Sequence, residues 1–430
     1  MGMVIKMEKY DHIYQTYVKI LQEELVPAMG CTEPIALAYC ASLCRDALND
    51  DIEKIDVKVS GNIIKNVKSV IVPHTDGLKG IEASVVAGIV AGQSDKVLEV
   101  ISDVNVSQKE KMRKVLKTLP ICIEPLESEY VLDIIVHLYG KSHDAMVRIA
   151  GFHTNVICIQ RDQDILHQAG VFTKKETSLI DRTLLNVKDI CEFASLVDID
   201  DVKDVLQRQI DYNLAIAKEG LTNHWGAQIG KVLLNTYGDD VKIKAKAYAA
   251  AGSDARMSGC EMPVIINSGS GNQGMTASLP VIIYAQEQGY DEERLYRSLV
   301  ISNLCTIHQK TGIGRLSAYC GAVSAGVGAG CGIAYLDGGD YETIAHTLVN
   351  ALAIVSGIVC DGAKPSCAAK IASSVDAGIL GYTMYKNGYE FKGGDGLVCK
   401  GVEETIHNIG RLSREGMKET DKEIIKMMCD

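Results

Sequence analysis

A basic surplus is missing from this sequence: 44 lysines and arginines stand against 55 aspartates and glutamates, for a net charge of -11 and a pI near 5.5. A nucleic-acid backbone or an anionic membrane surface would repel such a chain, so small molecules are the expected partners. Also missing is an apolar run at the start, because "MGMVIKMEKYDHIYQ" carries lysines and acids where a signal peptide would be continuously apolar. We therefore expect a cytoplasmic protein. In that reducing compartment the 14 cysteines are poor grounds for disulfides, and clustered thiols point to metal binding or catalysis. No repeat recurs at a fixed period and no low-complexity tract interrupts the chain.

What is present is enough to bury a large core: 430 residues, 47% hydrophobic and 23% charged, which predicts two or three domains. The first fifty residues read as two helices, near 10–24 and 34–48, broken at "VPAMGCTEP", with Thr32 or Glu33 ahead of Pro34 as a helix start. Cys31 then sits at a helix N-terminus. From 51 to 187 short β-branched runs such as "IEKIDVKVS" and "YVLDIIVHLYG" alternate with helices near 80–91 and 107–117, which predicts a mostly antiparallel sheet. From 188 to 430 the strands fade. The fold class expected is α+β: an antiparallel-sheet segment followed by a large all-helical catalytic domain, with residues 1–50 docking on the latter. Two uncharged runs, 316–336 and 343–360, approach the length of a membrane span. The first is built on Gly, Ala and Ser, and "DGGDYE" joins them without aromatic or basic flanks, so both read as buried helices.

Chemistry concentrates in the helical half. Cys360 and Cys367 flank "DGAKPS", which is turn chemistry, and Cys320 closes "GRLSAYC". Such thiols suit an iron–sulfur cluster, although the spacing is not the short C-x2-C of zinc ribbons or ferredoxins, and a pair of inert buried cysteines has the same pattern. The stretch "NSGSGNQG" crowds Asn267, Ser268, Ser270, Asn272 and Gln273 around three glycines, offering amide donors for a carboxylate or phosphate, and a binding loop is favoured over an ordinary interhelical turn. Upstream of Cys320, His308, Lys310 and Arg315 either neutralise a substrate carboxylate or form a solvated face. Asp254 and Arg256 are expected to form an ion pair that shapes the polar loop. His346 reads as a packed histidine, while His74 and His153, in polar turns, are left open.

Taken together, "MGCTEP", "SDARMSG", "NSGSGNQG", "GRLSAYC" and "CDGAKPSC" resemble the L-cysteine desulfidase family, whose helical domain is related to the alpha part of iron–sulfur L-serine dehydratases. The likeness runs over most of the chain. It implies an oxygen-sensitive 4Fe-4S cluster held by three cysteines, which fall on Cys320, Cys360 and Cys367, with one iron open to substrate. It also implies a base at Cys31. Cys305 and Cys331 do not occupy the motif position and read as small buried residues. The implied reaction is β-elimination from L-cysteine to sulfide, ammonia and pyruvate. Serine dehydration by the same cluster, a pyridoxal-phosphate lyase using Lys310, and a non-enzymatic cluster sensor are the rivals, in that order. The expected partners are an amino-acid substrate and a second copy of the chain in a homodimer.

Overall fold

The computed structural model describes residues 7–169, 180–314 and 317–429. It opens with α1 (His12–Glu24), β1 (Pro27–Met29), α2 (Thr32–Leu48) and β2 (Ile52–Val59). Then come α3 (Gly61–Val67), α4 (Gly80–Ala91) and α5 (Val106–Thr118). Five strands follow: β3 (Ile121–Pro125), β4 (Asp133–Gly140), β5 (Asp144–Ala150), β6 (Val156–Arg161) and β7 (Asp164–Gln168). Beyond them the chain is helical, with α6 (Val187–Leu196), α7 (Lys203–Thr222), α8 (Ile229–Tyr237) and α9 (Val241–Met257) before the short β8 (Pro263–Ile265). It continues with α10 (Gly271–Gln288), α11 (Glu292–Ile313), α12 (Gly321–Leu336) and α13 (Tyr341–Ile354), and closes with α14 (Cys367–Lys386), α15 (Val402–Arg411) and α16 (Lys418–Cys429).

The class is α+β. Six strands lie in the order β3-β2-β4-β5-β6-β7, antiparallel except for β2 beside β3, because three helices separate those two in sequence and allow a parallel return. Alternation makes one face apolar: Ile55, Val57 and Val59 of β2, Ile134, Val136 and Leu138 of β4, and Ala145, Val147 and Ile149 of β5 are fully buried. α2 lies on that face, with the Cys44 thiol donating to the carbonyls of Val136 and Ala145 at 3.3 and 3.1 Å. α1 belongs to the other core, where Tyr14 and Tyr17 meet the Phe193 ring edge-on. Residues 1–50, expected to dock together on the helical part, therefore divide between the two cores.

The Gly- and Ala-rich α12 is the centre of the helical part. A Cβ on Gly330 would stand 2.5 Å from the Gly378 carbonyl oxygen of α14, and one on Gly328 would stand 2.6 Å from the Ser302 carbonyl oxygen of α11. Close backbone approach thus accounts for the uncharged small-residue run. Among the described residues no helix is long and apolar enough to cross a membrane.

A strand pair and the last helix help tie the halves together. β1 pairs antiparallel with β8, Pro27 opposite Ile265, which fastens the start of α2 near the polar loop. α16 returns to α3, where the Lys65 ammonium meets Asp421 at 2.5 Å.

Candidate functional site

Four helix N-termini meet around a cavity of about 120 Å³ between the sheet part and the helical part. α2 starts after Cys31, α10 after Ser270, α12 after Cys320, and α14 at Cys367. None of the four has a side-chain cap, a property shared with α1, α3, α4, α7, α8 and α15, whereas Asn105, Asn186, Asp240, Asp291 and Asp340 cap α5, α6, α9, α11 and α13. Uncapped amides and aligned dipoles make such helix ends attractive to anions.

Cys320, Cys360 and Cys367 all line this cavity. The segments before α12 and before α14 are knit by backbone bonds, Cys320 N–H to Ile358 O at 3.1 Å and Cys360 N–H to Ala318 O at 2.6 Å, so the two thiols lie side by side. Gly362, at φ +92°, lets the loop dock on α3: a Cβ there would be 2.0 Å from the Lys65 carbonyl oxygen. The neighbouring Cys320 thiol, opposed by burial but aided by Lys65, the Gly362 amide and Lys370, brings Cys360 down to about 6. The Cys360 thiol and burial push Cys320 well up, and burial raises Cys367. Among the described residues, no three of His, Cys, Asp and Glu are grouped closely enough for a single metal ion.

The polar loop is a two-residue turn. Ser268 and Gly269 both have positive φ, 51° and 79°, and Asn267 and Ser270 exchange backbone hydrogen bonds of 3.1 Å. Ser268, Ser270, Asn272 and Gln273 line the cavity, and the buried Gln273 Oε1 has no hydrogen-bond partner. Asn267 does not line it, because its amide is spent on Asn303 Oδ1 at 2.9 Å and anchors the turn from behind. His308 also lies elsewhere, donating to Glu403 of α15 at 2.6 Å. Lys310, in the last turn of α11, is buried in the cavity wall, and Arg315 lies outside the described residues.

The expected Asp254–Arg256 ion pair is replaced by two separate roles. Asp254 accepts from the Ala227 and Ile229 amides at 3.2 and 2.6 Å and holds the start of α8, since side chains two apart on a helix point in different directions. Arg256 instead turns to the cavity and donates to Asn272 Oδ1 at 3.1 Å.

Cys31 is the N-cap of α2 and is 5% exposed. Although it stands at a helix N-terminus, burial first, then the Glu33 charge, hold this thiol well above its ordinary value. It donates to Glu33 Oε2 at 3.1 Å. Burial opposes ionisation of Glu33, yet His153, the Cys31 bond and Arg256 together outweigh it and lower its pKa. Sequence reading missed Glu33, Lys65, Asn66, His153 and Arg256 as cavity residues. Glu33 lay inside "CTEP" and was visible there, whereas Lys65 and Asn66, on a short helix in the sheet part, carried no signal.

An α+β chain with a thiol-lined, cation-rich cavity at helix N-termini defines the class, and residues 93–426 match the serine dehydratase alpha chain family, to which this chain belongs. The matched region holds Cys320, Cys360 and Cys367 but not Cys31 or Glu33. Among its relatives, a UPF0597 protein of Desulfitobacterium hafniense is 60% identical over 99% of both chains. UPF0597 proteins of Lachnoclostridium phytofermentans and Finegoldia magna are 49% and 48% identical, each over 97% of this chain and 100% of the relative. None of those three names states a substrate.

Proposed function

We propose that the protein is a lyase that eliminates sulfide from the β-carbon of L-cysteine, leaving aminoacrylate that hydrolyses to pyruvate and ammonia. The observation that carries the reading is the convergence of Cys320, Cys360 and Cys367 on a cavity also lined by Lys65, Arg256 and Lys310. That donor set suits a 4Fe-4S cluster: three thiols share one cavity, and the uncapped start of α12 leaves amides for sulfur. A cluster spreads its thiolates over several irons, so it does not require the tight grouping of a single-ion site. When bound, such a cluster supplies a Lewis acid that stabilises a departing β-heteroatom.

The remaining work falls to side chains. Arg256 and Lys310, buried at 3% and 5% exposure, hold the α-carboxylate together with the amides at the start of α10. Burial excludes water and strengthens both charges. Cys31 faces the substrate Cα and receives its proton. The family match favours a second reading, elimination of water from L-serine by the same residues.

Anaerobic reconstitution with iron and sulfide tests this, with sulfide and pyruvate then measured on L-cysteine and L-serine in parallel. Sulfide release from L-cysteine is the expected result. Pyruvate from L-serine alone would move the assignment to the second reading, and failure to take up iron and acid-labile sulfide would overturn both.

A further inference from the structure

The residue facing Cα is a thiol, and a thiol is a poor proton acceptor unless its own proton has somewhere to go. Glu33 is the single carboxylate among the described residues that line the cavity, and it is 7% exposed. Its Oε2 accepts from the Cys31 thiol at 3.1 Å and from Thr32 Oγ1 at 3.2 Å, while its Oε1 accepts from Asn66 Nδ2 of α3 at 3.0 Å. The ionisable groups facing the pair are His153 from the loop between β5 and β6, and Arg256 from α9; both favour the carboxylate. A carboxylate in the first turn of a helix gains from the dipole whatever its role. This one also has the proton of the cavity-facing thiol pointed at it.

We infer that Glu33 is the terminal proton acceptor of the elimination and that Cys31 relays the Cα proton to it. The inference rests on the reading of Cys31 as the group facing Cα. In the step, the Cα–H bond breaks and its proton forms an S–H bond on Cys31 while the proton already there moves to Glu33 Oε2. The Cα electron pair becomes the Cα=Cβ bond, and the Cβ–S bond breaks with its electrons on the leaving hydrosulfide. Glu33 returns a proton through Cys31 to the hydrosulfide, which leaves as hydrogen sulfide. The thiol and the carboxylate are restored, and no oxidant or reductant is consumed. Glu33 thus acts through Cys31 as a positioning and proton-holding residue.

Two measurements on the full chain test this. In the reconstituted protein, Glu33→Gln is expected to slow elimination by roughly a hundredfold at neutral pH and to gain an alkaline limb of about tenfold per pH unit, because Cys31 must then lose its proton to solvent. Glu33→Asp should recover part of the rate without that limb. In cluster-free protein, the rate of Cys31 alkylation by iodoacetamide is followed against pH by peptide mass spectrometry. The parent thiol should stay slow into the alkaline range, and Glu33→Gln should shift its midpoint downward because the adjacent negative charge is gone. A rate loss equal at every pH with an unmoved alkylation midpoint would mean that Glu33 is structural, and the relay would fall. If Cys31→Ser loses activity while Glu33→Gln keeps it, the relay alone fails. If Glu33→Gln loses it while Cys31→Ser does not, the assignment of Cys31 fails.

Discussion

At the scale of single residues, position decides which thiols can do chemistry. Cys305 and Cys331 are fully buried on α11 and α12, whereas Cys320, Cys360 and Cys367 reach the cavity. Alanine at any of the latter three should therefore abolish iron and acid-labile sulfide uptake, and alanine at Cys305 or Cys331 should leave both at the parental level. Metal and sulfide analysis after anaerobic reconstitution checks this; full iron in Cys360→Ala would refute the ligand set. Cys31→Ser should keep the cluster yet slow elimination by roughly a hundredfold, since the substitution removes a proton acceptor and not a ligand. Iron loss in that variant would make Cys31 a ligand instead. The thiols were legible as a group in the sequence because turn-rich contexts surround them. His308 was not: a histidine on a helix gives no sign of whether its face meets a cavity or Glu403 of a distant helix.

Elements impose the next constraint, because the cavity is assembled from helix starts and each start must be held. Away from the four starts around the cavity, Asp254 holds that of α8 by accepting from the Ile229 amide and from the Ala227 amide just before the helix, so Asp254→Ala should lower stability to urea by about 1–2 kcal/mol. Burial raises this carboxyl from its ordinary 3.8 to about 6, so the folded protein binds its proton more tightly than the unfolded chain. Its contribution is complete below the unfolded value and is lost as pH rises through the folded one. The penalty of Asp254→Ala should accordingly be larger near about pH 4 than near about pH 7, and urea titrations of parent and variant at both pH values would expose the opposite sign. Gly362 is the corresponding point on the cysteine loop. Gly362→Ala should cost stability through its left-handed backbone and its contact with Lys65, and should reduce cluster incorporation at the same time. Normal iron content with unaltered urea stability would show that the loop does not depend on that approach.

Across the whole molecule the cavity depends on segments far apart in sequence. Lys65 lines it from α3 and is 1% exposed at its side chain, with the ammonium answered by Asp421 of the last helix. Asp421→Ala would leave that charge buried and unpaired, which should cost about 3 kcal/mol, read as a lower urea midpoint and faster hydrogen exchange in α16. An unchanged midpoint would mean that Lys65 finds another partner at no cost. The β1–β8 pair has a related function, bringing Cys31 and Glu33 of the sheet part to the loop before α10.

Much of this was determined by sequence alone, because local patterns report local physics. Period-2 runs marked β2 and β4 but not the three-residue β1 and β8, the latter inside a stretch expected to be all-helical; the helix at 80–91 was bounded correctly, and the small-residue composition of α12 distinguished a buried helix from a membrane span. Thiols in turns and the polar "NSGSGNQG" loop marked the cavity wall. Tertiary structure alone decided what faces what. It parted α1 from α2, turned Arg256 away from Asp254, put His308 against Glu403, and surrounded Cys31 with enough buried surface and negative charge to keep it a thiol. Those outcomes depend on burial and on charges brought together from separate elements, and neither quantity is a property of any stretch of chain taken by itself.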